Sequence, residues 1–239
     1  MTRHALLNNI DHRDLRVATG HGAQWGDAAM VALTFPDEFR AIQAHYPIVF
    51  QKTAEGGFQP LALLGLRQGE NLFLDAMAAT GNGWDAWYVP LSVRRQPFLV
   101  GPDAGDGLAI HIDLDHPRAG AFDGEPLFLA HGGTSDYLQG ISDMLGQLHA
   151  GIAQAEAFAA AMQQHGLLES FVLDIESAEG AQRRLTGLHV VHEERLRALE
   201  GEALATLQRA GWLEAAWMAV ASLAQLRALL ERDRRRHVA

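Results

Sequence analysis

The sequence predicts an α+β protein with a β-rich N-terminal half and a mainly helical C-terminal half. Short apolar runs separated by glycine and proline fill residues 20–130, which favours a curled or barrel-like antiparallel sheet. Residues 134–235 carry apolar residues at helical spacing, interrupted by one alternating stretch that predicts a β-hairpin. Because a lone hairpin needs other elements to cover its apolar face, both halves are predicted to share one core, in a single domain over 1–239.

In the N-terminal half, each predicted strand begins or ends beside residues that favour turns. Pro36 opens a short predicted helix whose inward face is Phe39 and Ile42. Gly56 lies between two apolar runs, and glycine tolerates the positive φ of a tight turn, which predicts a hairpin. The predicted strands span 28–35, 47–51, 58–66, 71–75, 84–90, 98–101 and 108–114. An irregular stretch rich in glycine and proline, 115–133, then leads into the second half.

The C-terminal half begins with a long helix that Thr134 or Ser135 caps and that Gly166 ends. Its apolar stripe is Leu138, Ile141, Leu145, Leu148, Ile152, Phe158 and Met162. A hairpin over 171–176 and 183–191 is predicted to turn at 178–180. Helices over 193–209 and 212–232 complete the chain. The second of them places Trp217 on a stripe with Leu213, Val220 and Leu223, so Trp217 is predicted to be buried.

Composition excludes several classes of function. The formal net charge of −10 disfavours nucleic-acid binding, because an acidic surface repels phosphates. The chain contains no cysteine, which excludes disulfides, thiol nucleophiles and cysteine metal sites. The first 20 residues have no apolar signal-peptide core, and no run of about 18 uncharged apolar residues predicts a membrane span. These features favour a cytoplasmic location. Oligomeric state is left open by the sequence.

Three blocks of sequence carry a resemblance to a known family. The first block is His-Tyr-Pro-Ile-Val-Phe at 45–50, together with 61–66 and 70–73. The second block is Trp-Asp-Ala-Trp-Tyr-Val-Pro at 84–90, together with 94–98. The third block is Leu-His-Val-Val at 188–191, together with 193–199 and 211–222. In this order they resemble the SapC family over nearly the whole chain. The resemblance implies a link to surface-layer protein export, halogenase-like proteins and outer-membrane receptors, and it implies no reaction. His111 and His192 depart from the family pattern.

The segment 84–98 is the first candidate site. It is richer in aromatic and arginine side chains than any other segment of its length, and these residue types dominate binding hot spots. Trp87, Tyr88, Arg94 and Arg95 are therefore candidates for binding a peptide or protein partner. The alternative is structural, with Tyr88 in the core and Arg94 paired with Asp85 or Glu70.

The second candidate site is a metal site. His111 and Asp113 lie two residues apart on a predicted strand, so both side chains point the same way, and His131 follows downstream. Two histidines and one carboxylate are the ligands that hold Fe(II) in non-haem oxygenases. The alternative is a solvated strand end that enters an acidic loop.

No complete catalytic motif accompanies these candidates. The nucleophile elbow of hydrolases and the phosphate-binding loop are both absent from the sequence. The sequence therefore favours a non-enzymatic accessory protein without a cofactor, which binds a peptide or protein of a surface, export or uptake system. A metal-dependent oxygenase that uses Fe(II) at His111, Asp113 and His131 is the alternative.

Overall fold

A computed structural model describes residues 3–102, 107–176 and 182–238, and residues 237 and 238 are described by their backbone alone. The α+β prediction is confirmed, with strands dominating the N-terminal half and open sheets in place of a barrel. The strands are β1 His4–Leu6, β2 Arg16–Val17, β3 Val31–Leu33, β4 Ile48–Lys52, β5 Phe58–Leu63, β6 Phe98–Pro102, β7 Leu108–Asp113, β8 Glu125–Pro126, β9 Leu168–Glu176 and β10 Gln182–Val191. The α-helices are α1 Phe39–Ile42, α2 Leu91–Arg94, α3 Asp136–Gln164, α4 Glu193–Arg197, α5 Gly201–Arg209, α6 Trp212–Ser222 and α7 Gln225–Val238.

The chain folds as two compact units, and each takes residues from both halves of the sequence. The first unit consists of Met1–Ala28, Leu74–Asp85 and Leu91–Ala150, and the second of Ala29–Phe73, Ala86–Pro90 and Gly151–Ala239. A single domain over 1–239 stays a prediction.

The first unit contains a three-stranded antiparallel sheet in the order β1-β7-β6 and a two-stranded ribbon of β2 and β8. Its fully buried side chains include Val17, Trp84, Phe98, Ile112 and Leu127. Ser135 caps α3 as predicted, since its hydroxyl accepts a hydrogen bond from the Leu138 amide at 3.1 Å. This capping bond fixes where the long helix begins.

The second unit is built on a five-stranded antiparallel sheet in the order β3-β5-β4-β10-β9. The predicted hairpin at Gly56 is confirmed, because β4 and β5 pair and Gly56 has a φ of +85°. The hairpin of β9 and β10 adds to this sheet through β10, which pairs with β4. The predicted turn at 178–180 lies outside the described residues. Phe39 and Ile42 point inward as predicted, and both are fully buried.

Two predicted strands, 71–75 and 84–90, are wrong. Both stretches are turns and bends, joined only by an isolated bridge between Leu74 and Trp84. Side chains of Asn and Asp satisfy the backbone locally: the Phe73 amide donates to Asn71, the Met77 amide to Asp75 and the Trp84 amide to Asn82. Such bonds favour turns over a strand ladder.

Three details of the helical half also differ from the prediction. The single helix over 193–209 is wrong, because α4 ends at Arg197 and α5 begins at Gly201, whose φ is +58°. Ile152, assigned to the buried stripe of α3, is 55% exposed. Trp217 is only half-buried. The buried face of α6 consists of small residues, Ala215, Ala216, Ala219 and Ser222.

Small side chains on α6 allow a direct bond to the sheet. The Ser222 hydroxyl accepts a hydrogen bond from the Ile48 amide of β4 at 2.8 Å and donates to the Ala219 carbonyl at 2.6 Å. Since Ser222 is fully buried, its hydroxyl serves as the hydrogen-bond acceptor that water would provide for an exposed Ile48 amide. The face of α6 that contacts the strand is therefore a different one from the stripe predicted to carry Trp217.

We expect Ser222→Ala to lower the free energy of unfolding by about 1–3 kcal/mol, because it leaves a buried amide without its acceptor. Urea-induced unfolding followed by circular dichroism measures the change. Ser170→Ala, at an exposed position, is the matched control and should change stability by less than about 0.5 kcal/mol. Equal stability of the two variants would contradict the assigned bond.

One helix in the described part of the chain, Trp212–Arg236, which joins α6 and α7, is long and apolar enough to cross a membrane by length and composition alone. Buried helices of folded proteins meet the same criterion. This helix makes contacts inside the second unit, through the Ser222 hydroxyl and through Asp233, whose carboxylate lies 2.9 Å from Arg183. The finding is weak support for a membrane span.

Candidate binding site

The structure separates the candidate residues of 84–98 into exposed and buried ones. Trp84 is fully buried in the first unit, where its ring meets His21 edge to face at 5.2 Å. Trp87, three residues later and in the second unit, is 83% exposed. An exposed indole is unusual, because tryptophan loses the most favourable burial energy by staying in water. Trp87 is therefore a candidate contact residue.

The backbone beside Trp87 is fixed by its neighbours. Tyr88, the next residue, donates its hydroxyl to Glu38 at 3.0 Å, and its carbonyl accepts a hydrogen bond from the Tyr46 hydroxyl. Glu38 is buried and also accepts from the Thr34 hydroxyl at 2.8 Å. These bonds assign Tyr88 a structural position. They also mean that Trp87 protrudes from an anchored segment.

The two candidate arginines belong to the first unit and also differ in how exposed their side chains are. Arg94, the last residue of α2, is exposed. Arg95 is half-buried, and its Nη1 donates to the Phe98 carbonyl at 2.8 Å. Burial lowers the pKa of Arg95 from its ordinary value. Arg95 thus supports the start of β6, and Arg94 presents its guanidinium to solvent.

The three residues of the alternative metal site are not brought together. His111 and Asp113 lie on β7, where the His111 Nε2 is 3.2 Å from the Pro102 carbonyl and the Asp113 carboxylate accepts from the Asp115 amide at 3.1 Å. His131 lies in an exposed turn. Over 3–102, 107–176 and 182–238, no group of three or more His, Asp or Glu side chains is placed to hold a metal ion. The oxygenase alternative has no geometric support.

The first unit contains a buried ion pair that no sequence pattern predicted. Asp27 and Arg118 are each 2% exposed, and the Arg118 Nη2 lies 2.9 and 2.7 Å from the two Asp27 oxygens. The Gly22 amide donates to the same carboxylate at 2.9 Å, and the His21 Nδ1 lies 3.4 Å from it. Burial alone raises the pKa of Asp27, but the bond with His21 and the charge of Arg118 outweigh it, so the pKa lies below its usual value.

Neutral groups surround this ion pair. Burial, with the charge of Arg118, lowers the pKa of His116, so its imidazole is neutral near pH 7. Its Nδ1 accepts from the Arg118 amide at 3.2 Å, which places the proton on Nε2, 3.1 Å from the Gln96 amide oxygen. Burial raises the pKa of Tyr137 to about 12. Asp27 and Arg118 themselves are enclosed, so the ion pair offers no surface to a ligand.

Two clefts in the second unit share Trp212, which stacks on Phe158 with ring centroids 5.6 Å apart. One measures about 280 Å³, and its polar groups are already paired, Gln154 with Asp37 and Arg40 with Glu214. The other measures about 460 Å³ and is lined by both apolar and polar residues of α3 and α5. No pattern in the sequence predicted either cleft.

Comparison with known proteins supports the resemblance. A SapC family model matches residues 7–229 of the 239-residue chain. The chain belongs to the SapC family. No curated protein and no solved structure matches it. For this SapC-family chain, a function therefore has to be argued from the site itself.

Proposed function

We propose that this SapC-family protein is a non-enzymatic accessory protein that binds a peptide or protein partner of a surface, export or uptake system through Trp87. The observation that carries the proposal is the 83% exposed indole of Trp87 on an anchored segment. Exposed tryptophans are enriched among residues that dominate binding energy. Arg94, exposed at the end of α2 in the first unit, is proposed as a separate contact residue, independent of Trp87.

Anchoring matters because binding orders the groups at an interface. Each flexible side chain or loop that becomes fixed on association costs free energy, and a contact held in place beforehand avoids part of that cost. The Tyr88 hydroxyl donates to Glu38, and the Tyr88 carbonyl accepts from the Tyr46 hydroxyl. Both hydrogen bonds hold the backbone next to Trp87. A partner therefore meets a large apolar side chain on a backbone that needs little reordering.

The proposal is tested with random peptides displayed on phage and selected against the whole protein. The best peptide is synthesised with a fluorescent label, and its Kd is measured by fluorescence anisotropy. We expect Trp87→Ala to weaken binding by about 30-fold, the effect of losing a hot spot worth about 2 kcal/mol. Trp87→Phe should retain part of the affinity, because a smaller ring still buries apolar surface.

The chain offers a matched control in Phe122, an aromatic residue that is 95% exposed in the first unit. Phe122→Ala should leave the Kd unchanged. Arg94→Ala should weaken binding without lowering the unfolding temperature, because its side chain is exposed. Failure to select any peptide, or an equal Kd for Trp87→Ala and the unaltered protein, would overturn the proposal.

A further inference from the structure

The outer strand of the five-stranded sheet, β9, presents a long open edge. β9 contains nine residues, and within the described parts of the chain it pairs with β10 alone. A strand with a neighbour on one side turns alternate N–H and C=O groups away from the sheet. Extended peptides bind proteins by adding a strand to such an edge.

β9 lacks two features that protect edges against added strands, proline and lysine. Its sequence, Leu-Glu-Ser-Phe-Val-Leu-Asp-Ile-Glu, contains no proline and no lysine, and it is rich in residues that favour strands. The irregularity in the hairpin falls on β10 between Leu185 and Leu188, where Gly187 has a φ of +82°. The bulge therefore bends the inner strand and leaves the register of β9 continuous.

The two faces of β9 differ in chemistry. Phe171, Leu173 and Ile175 share the face that is half-buried or buried. Val172, Asp174 and Glu176 share the opposite face, and all three are exposed. Because side chains alternate along a strand, an added strand would match this edge with apolar residues on one face and polar residues on the other.

Charge selects the polar residues of the added strand. β9 carries two acidic residues on its exposed face, Asp174 and Glu176, a third, Glu169, on the other face, and no basic residue. Arg184 of β10 pairs with Asp174 at 2.6 Å within the hairpin, so one cross-strand pair of opposite charge already lies on this exposed face. A second copy of β9 would bring acidic residues beside acidic residues, in a chain whose net charge is −10.

We infer that β9 binds an extended basic peptide as an added strand, with lysine or arginine alternating with apolar residues. This surface is separate from the Trp87 contact and goes beyond the proposed function. Main-chain hydrogen bonds hold the peptide, and the acidic face of β9 selects its charge.

The probe is a labelled peptide of alternating Lys and Val, compared with a Glu and Val peptide and with a Lys and Val peptide whose alternate backbone amides are methylated. We expect the first peptide alone to bind and to slow hydrogen exchange in residues 168–176. Asp174→Lys with Glu176→Lys should weaken binding by about tenfold or more, because two favourable cross-strand pairs become repulsive.

Control variants separate this edge from general charge attraction and from Trp87. Glu156→Lys with Glu194→Lys makes the same change in net charge at exposed helical positions and should leave binding within about twofold. Trp87→Ala should also bind normally, so failure of either surface is distinguishable from failure of the other. Equal binding of the methylated peptide, no binding of the first peptide, or self-association through β9 in ultracentrifugation would each overturn the inference.

Discussion

Asp27→Asn is expected to lower the free energy of unfolding by about 3–5 kcal/mol, the usual cost of removing one partner of a buried ion pair. The variant keeps the shape of the side chain but leaves the Arg118 guanidinium, which is 2% exposed, without its counter-charge. Arg118 Nε is buried without a hydrogen-bond partner in the described residues, and the Asp27 carboxylate is the charged partner of the guanidinium. Urea-induced unfolding at pH 7, followed by intrinsic fluorescence, measures the loss.

The same pair predicts how stability depends on pH. The pKa of Asp27 is lower in the folded protein than in the unfolded chain, so the unfolded state takes up the proton first as the pH falls. The contribution of the Asp27 carboxylate to the free energy of unfolding is therefore complete above about pH 4. It is lost as the pH falls through the lower pKa of the folded protein. The difference in stability between the unaltered protein and Asp27→Asn should shrink over that acidic range.

A double variant distinguishes a charge effect from a packing effect. Asp27→Asn with Arg118→Met removes both charges and should recover part of the lost stability, because no buried charge is left uncompensated. Arg184→Met, which breaks the exposed pair with Asp174, is the surface control and should cost less than about 1 kcal/mol. If Asp27→Asn costs no more than that control, the ion pair does not stabilise the unit.

Local signals were sufficient for much of the fold. The start of α3 was predictable because Ser135 is a strong cap, and the hairpin at Gly56 because glycine tolerates positive φ. Both features depend on a few adjacent residues, whose preferences do not change with the rest of the fold. Trp217 shows where this reasoning fails. Helical periodicity predicted that the stripe with Trp217 is buried, but the buried face of α6 is the one with Ala and Ser, which allow closer packing.

The segment 84–90 was misread because its residue types are strand formers. Trp, Tyr and Val favour strands, but the Asn82 side chain accepts the Trp84 amide, and Pro90 ends the segment in a buried position. Without a strand, alternation no longer says which side chains share a face. Trp84 and Trp87 are the same residue type, yet one is fully buried and the other is 83% exposed.

The ion pair of Asp27 and Arg118 was beyond the reach of local patterns. The two residues lie 91 positions apart, and neither belongs to a periodic segment. Their meeting depends on how the loops of the first unit fold around β2 and β8. The resemblance to SapC predicted the family correctly, but the partner that binds Trp87 stays a proposal because no characterised relative matches.

Phe158→Ala is expected to lower the free energy of unfolding by about 3–5 kcal/mol, the cost of emptying a large aromatic site. Phe158 is fully buried on α3 and contacts three other rings of the second unit. Its centroid lies 5.6 Å from Phe39, 6.1 Å from Phe50 and 5.6 Å from Trp212. Since these rings come from a short helix, a strand and α6, the substitution removes contacts between elements that are distant in sequence.

Two further variants make this prediction decisive. Phe158→Leu keeps most of the volume but loses the ring contacts, so it should fold and cost less than Phe158→Ala. Phe122→Ala removes the same ring from an exposed position and should cost less than about 0.5 kcal/mol. Urea midpoints and near-UV circular dichroism of the three variants are compared, the latter because Trp212 stacks on Phe158. If Phe158→Leu and Phe122→Ala unfold at the same midpoint, Phe158 is not the point at which α3 packs against the sheet and α6, and the assigned core of the second unit would be wrong.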